Sequence, residues 1–260
     1  MNWRVGVVGS PIAHSLSPQL QIAGLKLAGL EGSSTRVELG LERADELKVL
    51  ATRKFDALSV TSPLKMVAWA ICDELSEVAT RTKSVNSLLQ RDGKLLGEST
   101  DGLGFVNSLS GEMGFSLENT HAVVLGAGGA ASSIVDALVH HGVASAVVHA
   151  RNEAKVAELA GRYRNVFSRS LVYRPVDLVV NALPLRARGE EAAVLQGVHH
   201  ETVAVDLAYE PRMSLWRQLY IDAGCRTMNG LPMLAYQAAL QMQWWWGVGL
   251  EGAKLLEVLQ

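Results

Sequence analysis

The chain has 260 residues but only two cysteines, Cys72 and Cys225, too few and too far apart for a disulfide framework. Neither lies in a C-x-x-C or zinc-ligand spacing, so no metal is expected, and both read as reduced thiols of a cytoplasmic protein. No apolar run reaches the ~20 residues that a membrane helix needs. The start, Met-Asn-Trp-Arg-Val-Gly, lacks a signal-peptide pattern. Charge of one sign is missing too: 24 Lys and Arg stand against 26 Asp and Glu, with no long basic run. Nucleic acid and anionic membrane are therefore not expected partners. The one aromatic cluster, Trp244-Trp245-Trp246, falls in a polar-interrupted helical pattern and is expected to pack rather than to form a membrane belt.

What is present suits a folded globular protein. Apolar residues make up 48% and charged residues 19%, enough for a sizeable core. At roughly 150 residues per domain, the length fits one large or two modest domains. The organising stretch is 121–138. Residues 122–125 are a short apolar run, Gly126, Gly128 and Gly129 follow at once, and 130–138 read as a helix with Ala131, Ile134 and Leu138 on its packing side. Strand, glycine turn and helix are the parts of a dinucleotide site. Gly126 permits a tight turn, Gly128 lets main chain approach a pyrophosphate, Ala131 lets the helix lie close to the strand, and the helix start offers N–H groups to phosphate.

The remaining pattern alternates strand and helix. Strands are expected at 5–8, 35–38, 57–61, 146–149, 178–181 and 203–206. Helices are expected after Ser17-Pro18 to about Leu30, at 42–52, from Ser62-Pro63 to about Leu75, near Val78, from Thr100-Asp101-Gly102 to about Leu109, and at 153–163, 212–223, 231–246 and 251–259. Ser17 reads as a helix cap with Pro18 first in the helix. Arg91-Asp92-Gly93 between two apolar runs marks a hairpin, and 184–189 reads as a loose segment. The alternation implies an α/β protein with largely parallel sheets and right-handed crossovers. Two domains are expected: an α/β unit of 1–101 joined by 231–260, and a Rossmann-like 102–230 for nucleotide, with a cleft between them where ligands usually bind.

Several residues stand out chemically. Lys65 falls in the first turn of a helix, where a cation faces the positive dipole end at a cost of roughly 0.3–1 kcal/mol. Local rules broken in this way often mark functional sites. The alternative is a solvated surface lysine. Asp101, read locally, is a helix cap, a task that Thr100 could share. Ser15, Ser17 and Thr61 each read as caps when taken alone, Asn86 as a strand-end residue and His14 as a loop-packing histidine. After the second strand of the nucleotide unit, His149-Ala150-Arg151-Asn152 carries no acid at the strand end. Arg151 is placed to pair with a 2′-phosphate and Lys155 follows one turn later, which favours NADP over NAD.

Taken together these stretches resemble the shikimate dehydrogenase family. The resemblance is carried by Val8-Gly9-Ser10-Pro11-Ile12-Ala13-His14-Ser15-Leu16-Ser17-Pro18, Val60-Thr61-Ser62-Pro63-Leu64-Lys65 and Val85-Asn86-Ser87-Leu88. It continues through Ser99-Thr100-Asp101-Gly102-Leu103-Gly104-Phe105, Leu125 to Ala131, Asp206-Leu207-Ala208-Tyr209-Glu210-Pro211 and the run from Gly230 to Ala239, all in family order. The resemblance implies NADP-dependent reduction of 3-dehydroshikimate to shikimate, in aromatic amino-acid (chorismate) biosynthesis, by a monomer or homodimer. It implies Lys65 and Asp101 at the reacting oxygen. Ser15, Ser17, Thr61, Asn86, Tyr209 and Gln237 would bind the hydroxylated, carboxylated ring, the two serines facing the carboxylate. Gly126, Ala127, Gly128, Gly129, Ala130, Arg151, Asn152, Lys155, Gly230 and Met233 would hold the cofactor.

The chain departs from the family at identifiable places. The family commonly has Asn at the positions of Ser59 and Ser99, His-Asn at Gln21-Ile22, and Asn-Ala-Thr-Ser where this chain has Asn181-Ala182-Leu183-Pro184. Lys65 and Asp101 are retained. Two other readings stay open: an NAD-preferring quinate/shikimate dehydrogenase, against which Ser15, Ser17 and Arg151 argue, and a low-turnover ligand-sensing paralogue, against which the Lys65 and Asp101 pair argues.

Overall fold

The computed structural model describes residues 2–168, 175–183, 196–209 and 213–260. The chain divides into two compact units, residues 1–108 with 234–260, and residues 109–233.

The first unit opens with Asn2–Gly9 (β1), Ser17–Leu27 (α1), Glu31–Glu38 (β2), Glu46–Arg53 (α2) and Ala57–Val60 (β3). It continues with Lys65–Ile71 (α3), Glu74–Leu75 (β4), Glu77–Thr82 (α4), Ser87–Arg91 (β5), Lys94–Glu98 (β6) and the start of Asp101–Met113 (α5). Its six strands run β2-β1-β3-β5-β6-β4. β1 is parallel to both neighbours, whereas β5 is antiparallel to β3 and β6. The reversal between β5 and β6 follows from the Asp92-Gly93 turn, where both residues have positive φ (51° and 77°), the geometry of a two-residue hairpin. Val8, Leu58, Val60, Leu64, Ala68 and Leu88 form one core cluster. Ser59 alternates away from Leu58 and Val60, as strand geometry requires, and reaches polar groups of helices instead.

The second unit is the parallel one. His121–Leu125 (β7), Gly129–His140 (α6), Ser145–His149 (β8), Glu153–Ala160 (α7), Val166–Ser168 (β9), Val176–Asn181 (β10), Val198–Asp206 (β11), Leu215–Asp222 (α8) and Arg226–Met228 (β12) follow the end of α5. The sheet order is β12-β11-β10-β7-β8-β9, with every pair parallel. Counted within the unit this is the doubly wound order in which a dinucleotide binds at the carboxyl ends of the strands. Trp216 and Tyr220 of α8 pack on Val123, Val179 and Ala204. Gly230–Trp246 (α9) returns the chain to the first unit at Leu234, and Gly252–Glu257 (α10) follows.

Several boundaries differ from expectation. Ser17 is not a cap: it is the first residue of α1, Leu16 holds the cap position without a side-chain bond, and the Ser17 N–H is taken by Ser15 Oγ at 3.3 Å. The third helix begins at Lys65 rather than Pro63, because Leu64 N closes a turn onto Thr61 O (2.9 Å) first. It ends at Ile71, since Asp73 bonds Leu95 through both main chain and carboxylate and draws Glu74–Leu75 alongside β6. The three-residue β9 and β12 lie at the edges of their sheet, too short to leave a periodic signal. The expected loose segment 184–189, the Glu210-Pro211 end of one motif and the expected helix start at Arg212 lie outside the described residues. Among the described residues no helix is long and apolar enough to cross a membrane.

Candidate active site

Lys65 is the first residue of α3 and Asp101 the first of α5. Lys65 Nζ donates to Asp101 Oδ2 at 2.6 Å, and the two side chains are only 14% and 6% exposed. The solvated-lysine reading of Lys65 is therefore set aside. The capping reading of Asp101 is set aside as well, for its carboxylate oxygens go to Lys65 and to Asn86 Nδ2 (2.9 Å). A buried ion pair is tolerated where hydrogen bonds satisfy its remaining atoms, and on the carboxylate side Asn86 Nδ2 does so. An ammonium has three N–H donors. Among the described residues Lys65 Nζ uses one, on Asp101.

Asn86 is the hub. Its Nδ2 lies within hydrogen-bond distance of Asp101 Oδ1 (2.9 Å), Thr100 Oγ1 (3.0 Å) and Gln237 Oε1 (3.1 Å), two N–H groups shared among three acceptors, and its Oδ1 accepts from Thr100 N (2.8 Å). Main chain supports the same point: Lys65 O accepts from Val85 N, and Asn86 pairs with Val60 N and Glu98 O. Thr100 does not cap α5 with its hydroxyl but donates to Gln237 O (3.1 Å), tying α5 to α9. α9 lies so close that a Cβ on Gly104 would come within 2.6 Å of Gln237 N and Cα; only glycine fits there. Lys65, Asn86, Asp101 and Gln237, singled out from four separate stretches, thus form one bonded cluster.

The remaining first-unit residues form a second group. Ser15 and Ser17 are buried, and Arg36 Nε holds Ser15 O at 2.8 Å while Glu38 Oε2 accepts from Ile12 N at 3.0 Å, so two residues of β2 fix the serine loop. Thr61 sits where β3 ends, its N–H on Val8 O. His14 is exposed.

The second unit presents main chain rather than side chains. Gly126 has φ +120°, a conformation open to glycine, and a Cβ there would lie 3.0 Å from Ala182 O. Gly128 caps α6 with extended backbone, and a Cβ added to it would meet nothing within 4 Å. Ala131 is fully buried against the sheet. Ala127 completes the turn, and Gly129 and Ala130 are the first two residues of α6. An open space at a helix start fits the pyrophosphate of a dinucleotide, and the residues present are compatible with that group. Arg151, Asn152 and Lys155 follow β8 and are exposed. The side chain of Asn152 accepts from Lys155 N (3.0 Å) and so caps α7. Gly230 donates its N–H to Ala208 O (3.1 Å) and Met233 is buried one turn later. Tyr209 is half-buried after β11.

Sequence reasoning assigned no role to Gln241 or Asp206, and to Thr100 only a cap. Gln241 follows Gln237 by one turn of α9, and that spacing of two glutamines on one face was the available signal. Asp206, fully buried, holds the loop before Tyr209 through Ala208 N (3.3 Å) and accepts from Ser214 Oγ (2.7 Å).

Comparisons with known proteins bear on this arrangement. Residues 7–88 match the model of the shikimate dehydrogenase substrate binding domain, and residues 109–183 that of shikimate / quinate 5-dehydrogenase. An NADP(+) shikimate dehydrogenase of Nitrosococcus oceani is 33% identical over 270 residues, covering 99% of this chain and 95% of its own. The chain belongs to the shikimate dehydrogenase family. Another family relative, an NADP(+) shikimate dehydrogenase of Thermus thermophilus, is 35% identical over 250 residues, with 94% of this chain and 93% of its own covered. A shikimate 5-dehydrogenase of that species, solved in complex with NADP(H) and shikimate, superposes with a TM-score of 0.86 at 34% identity over 98% of both chains.

Proposed function

We propose that this protein is an NADP-dependent shikimate dehydrogenase, reversibly reducing 3-dehydroshikimate to shikimate. The observation that carries the reading is the buried Lys65–Asp101 pair held by Asn86, in a chain whose relatives are named for that activity along nearly their whole length. NADP, when bound, supplies the hydride acceptor or donor. The chain supplies the proton and the geometry. In the reducing direction Lys65 donates a proton from Nζ to the ring oxygen as negative charge develops there, and in the oxidising direction it takes that proton back. Asp101 orients the ammonium, and Asn86 orients Asp101. Ser15 and Ser17 take the ring carboxylate, while Thr61, Tyr209 and Gln237 supply polar partners for hydroxyls. Such neutral groups are discriminated only by several fixed hydrogen bonds.

For the cofactor, Gly126 to Ala130 cradle the pyrophosphate, with Gly230 and Met233 serving it from the same unit, and Arg151 with Lys155 attracts the 2′-phosphate. Asn152 sets the start of α7 and thereby the height of Lys155. The test is a turnover matrix of shikimate and quinate against NADP⁺ and NAD⁺. Shikimate with NADP⁺ is expected to give the highest kcat/KM. Saturation by NAD⁺ at far lower concentration than NADP⁺ would overturn the cofactor assignment, and quinate turning over faster than shikimate would overturn the substrate.

A further inference from the structure

Behind Asn86 lies a chain of polar side chains whose direction is fixed. Ser34 Oγ on β2 donates to Gln21 Oε1 on α1. Gln21 Nε2 donates to Gly6 O (3.0 Å) and to Ser59 Oγ (2.9 Å). Ser59 Oγ donates to Gln241 Oε1 (2.7 Å), and Gln241 Nε2 donates to the main-chain oxygen of Asn86 (2.8 Å). Gln21, Ser59 and Gln241 are 1%, 5% and 2% exposed. Gly6 O and Asn86 O are carbonyl oxygens and can only accept, so each glutamine must turn its nitrogen towards one of them. That leaves the Ser59 hydroxyl a single arrangement: it accepts from Gln21 and donates to Gln241. A group able to do both at once is required at this position.

We propose that Gln21, Ser59 and Gln241 act as positioning residues that set the aim of the Asn86 carboxamide, and through it the Asp101–Lys65 pair. The chain connects two helices and the end of β3 to the one residue that bonds Thr100, Asp101 and Gln237 together. Asn86 O also accepts from Val60 N, so the sheet contact survives when Gln241 is removed. What is lost is the second, lateral restraint on the Asn86 peptide. A misplacement of about 1 Å at such a group is enough for a 10²-fold loss of rate.

The proposal rests on the shikimate dehydrogenase reading for its kinetic arm, and on no activity for its other arm. In the kinetic arm, Ser59→Ala is expected to lower kcat for shikimate about tenfold with NADP⁺ affinity unchanged, and Ser59→Thr, which keeps the donor and the acceptor, to restore most of it. The loss should grade with distance from Asn86, Gln241→Met exceeding Ser59→Ala and Ser59→Ala exceeding Gln21→Met, whatever the order of their melting temperatures. In an Asn86→Ala background, Ser59→Ala should add little. Losses that follow melting temperature instead of position, or that add fully to Asn86→Ala, would overturn the proposal. The second arm follows the Asn86 side-chain amide protons by NMR without substrate. Several-fold faster exchange in Ser59→Ala is expected, and an unchanged rate in a folded variant would overturn the proposal even if wild-type protein oxidises shikimate as expected. Absence of wild-type turnover would instead count against the proposed function alone.

Discussion

The first unit holds Lys65 by side chains: Asp101 bonds it, Asn86 bonds Asp101, and Asn86, Thr100 and Gln237 bond one another. The second unit, at residues 126–130, offers main chain and empty space, its Gly128 facing nothing within 4 Å. The difference follows from what each is proposed to hold. Proton transfer at a chosen oxygen needs charged and dipolar groups fixed to within a fraction of an ångström, and side chains locked by neighbours provide that. A pyrophosphate is served by N–H groups at a helix start, which the main chain presents wherever no side chain fills the space before them. Substitutions should accordingly act through lost bonds in the first unit and through added bulk in the second.

The largest effect tests the first half of that contrast. Lys65→Met removes the proposed proton donor and is expected to lower kcat by about 10³-fold, within the span of general acid–base catalysis. NADP⁺ binding, measured by fluorescence titration, should change less than about twofold. Equal turnover by wild type and Lys65→Met would end the assigned mechanism. Next in size is Asn86→Ala. It strips Asp101 Oδ1, Thr100 N and Gln237 Oε1 of a partner, so stability should fall by about 1–3 kcal/mol in urea unfolding. Activity should fall with it, and a variant as stable and active as wild type would show the hub to be dispensable.

A glycine pair probes the second half. Gly128 has φ −90° and ψ −173°, which alanine adopts freely, and its Cβ would enter open space. Gly128→Ala should leave the melting temperature unchanged yet weaken NADP⁺ binding about tenfold, or ~1.4 kcal/mol, by occupying the pyrophosphate approach. Gly126→Ala should do the reverse in emphasis, costing about 1–3 kcal/mol of stability because φ +120° is foreign to alanine. If both variants lose only stability, the turn is structural and the contrast between the units fails.

The same contrast explains what could be read without coordinates. The glycine turn was legible because main-chain requirements leave few residue choices, so Gly126 and Gly128 show themselves in sequence. Lys65 was legible as a cation against a helix dipole, and the helix does begin at that residue. Asp101 was misread locally as a cap, because a carboxylate at a helix start has two uses and only the fold shows Lys65 and Asn86 beside it. Gln241, Thr100 and Ser59 were not legible as a network: bonds spanning separations such as Ser59 to Gln241 arise only when α9 folds back on the first unit. The antiparallel β5 was foreseeable from Asp92-Gly93, but the short β9 and β12 were not, being fixed by their neighbours and not by their own pattern.

The smallest expected effect uses the two thiols as reporters, one in each unit. Burial pushes the Cys72 thiol up to about 12, with Asp73 adding to the shift, and Cys72 Sγ donates to Ala68 O at 3.0 Å. Burial alone raises Cys225. The thiolate is the reactive form, so at pH 8 both thiols should alkylate far more slowly than a free cysteine, and mainly when the surrounding structure opens. A ligand that binds only the closed form suppresses that opening in proportion to its saturation. NADP⁺ should therefore slow alkylation of Cys225 several-fold and leave Cys72 unchanged, while shikimate should slow Cys72 and spare Cys225, each followed by mass spectrometry of the labelled peptides. Protection of both thiols by either ligand alone would mean that the units open as one, and that the division of labour between side-chain site and main-chain site does not extend to their stability.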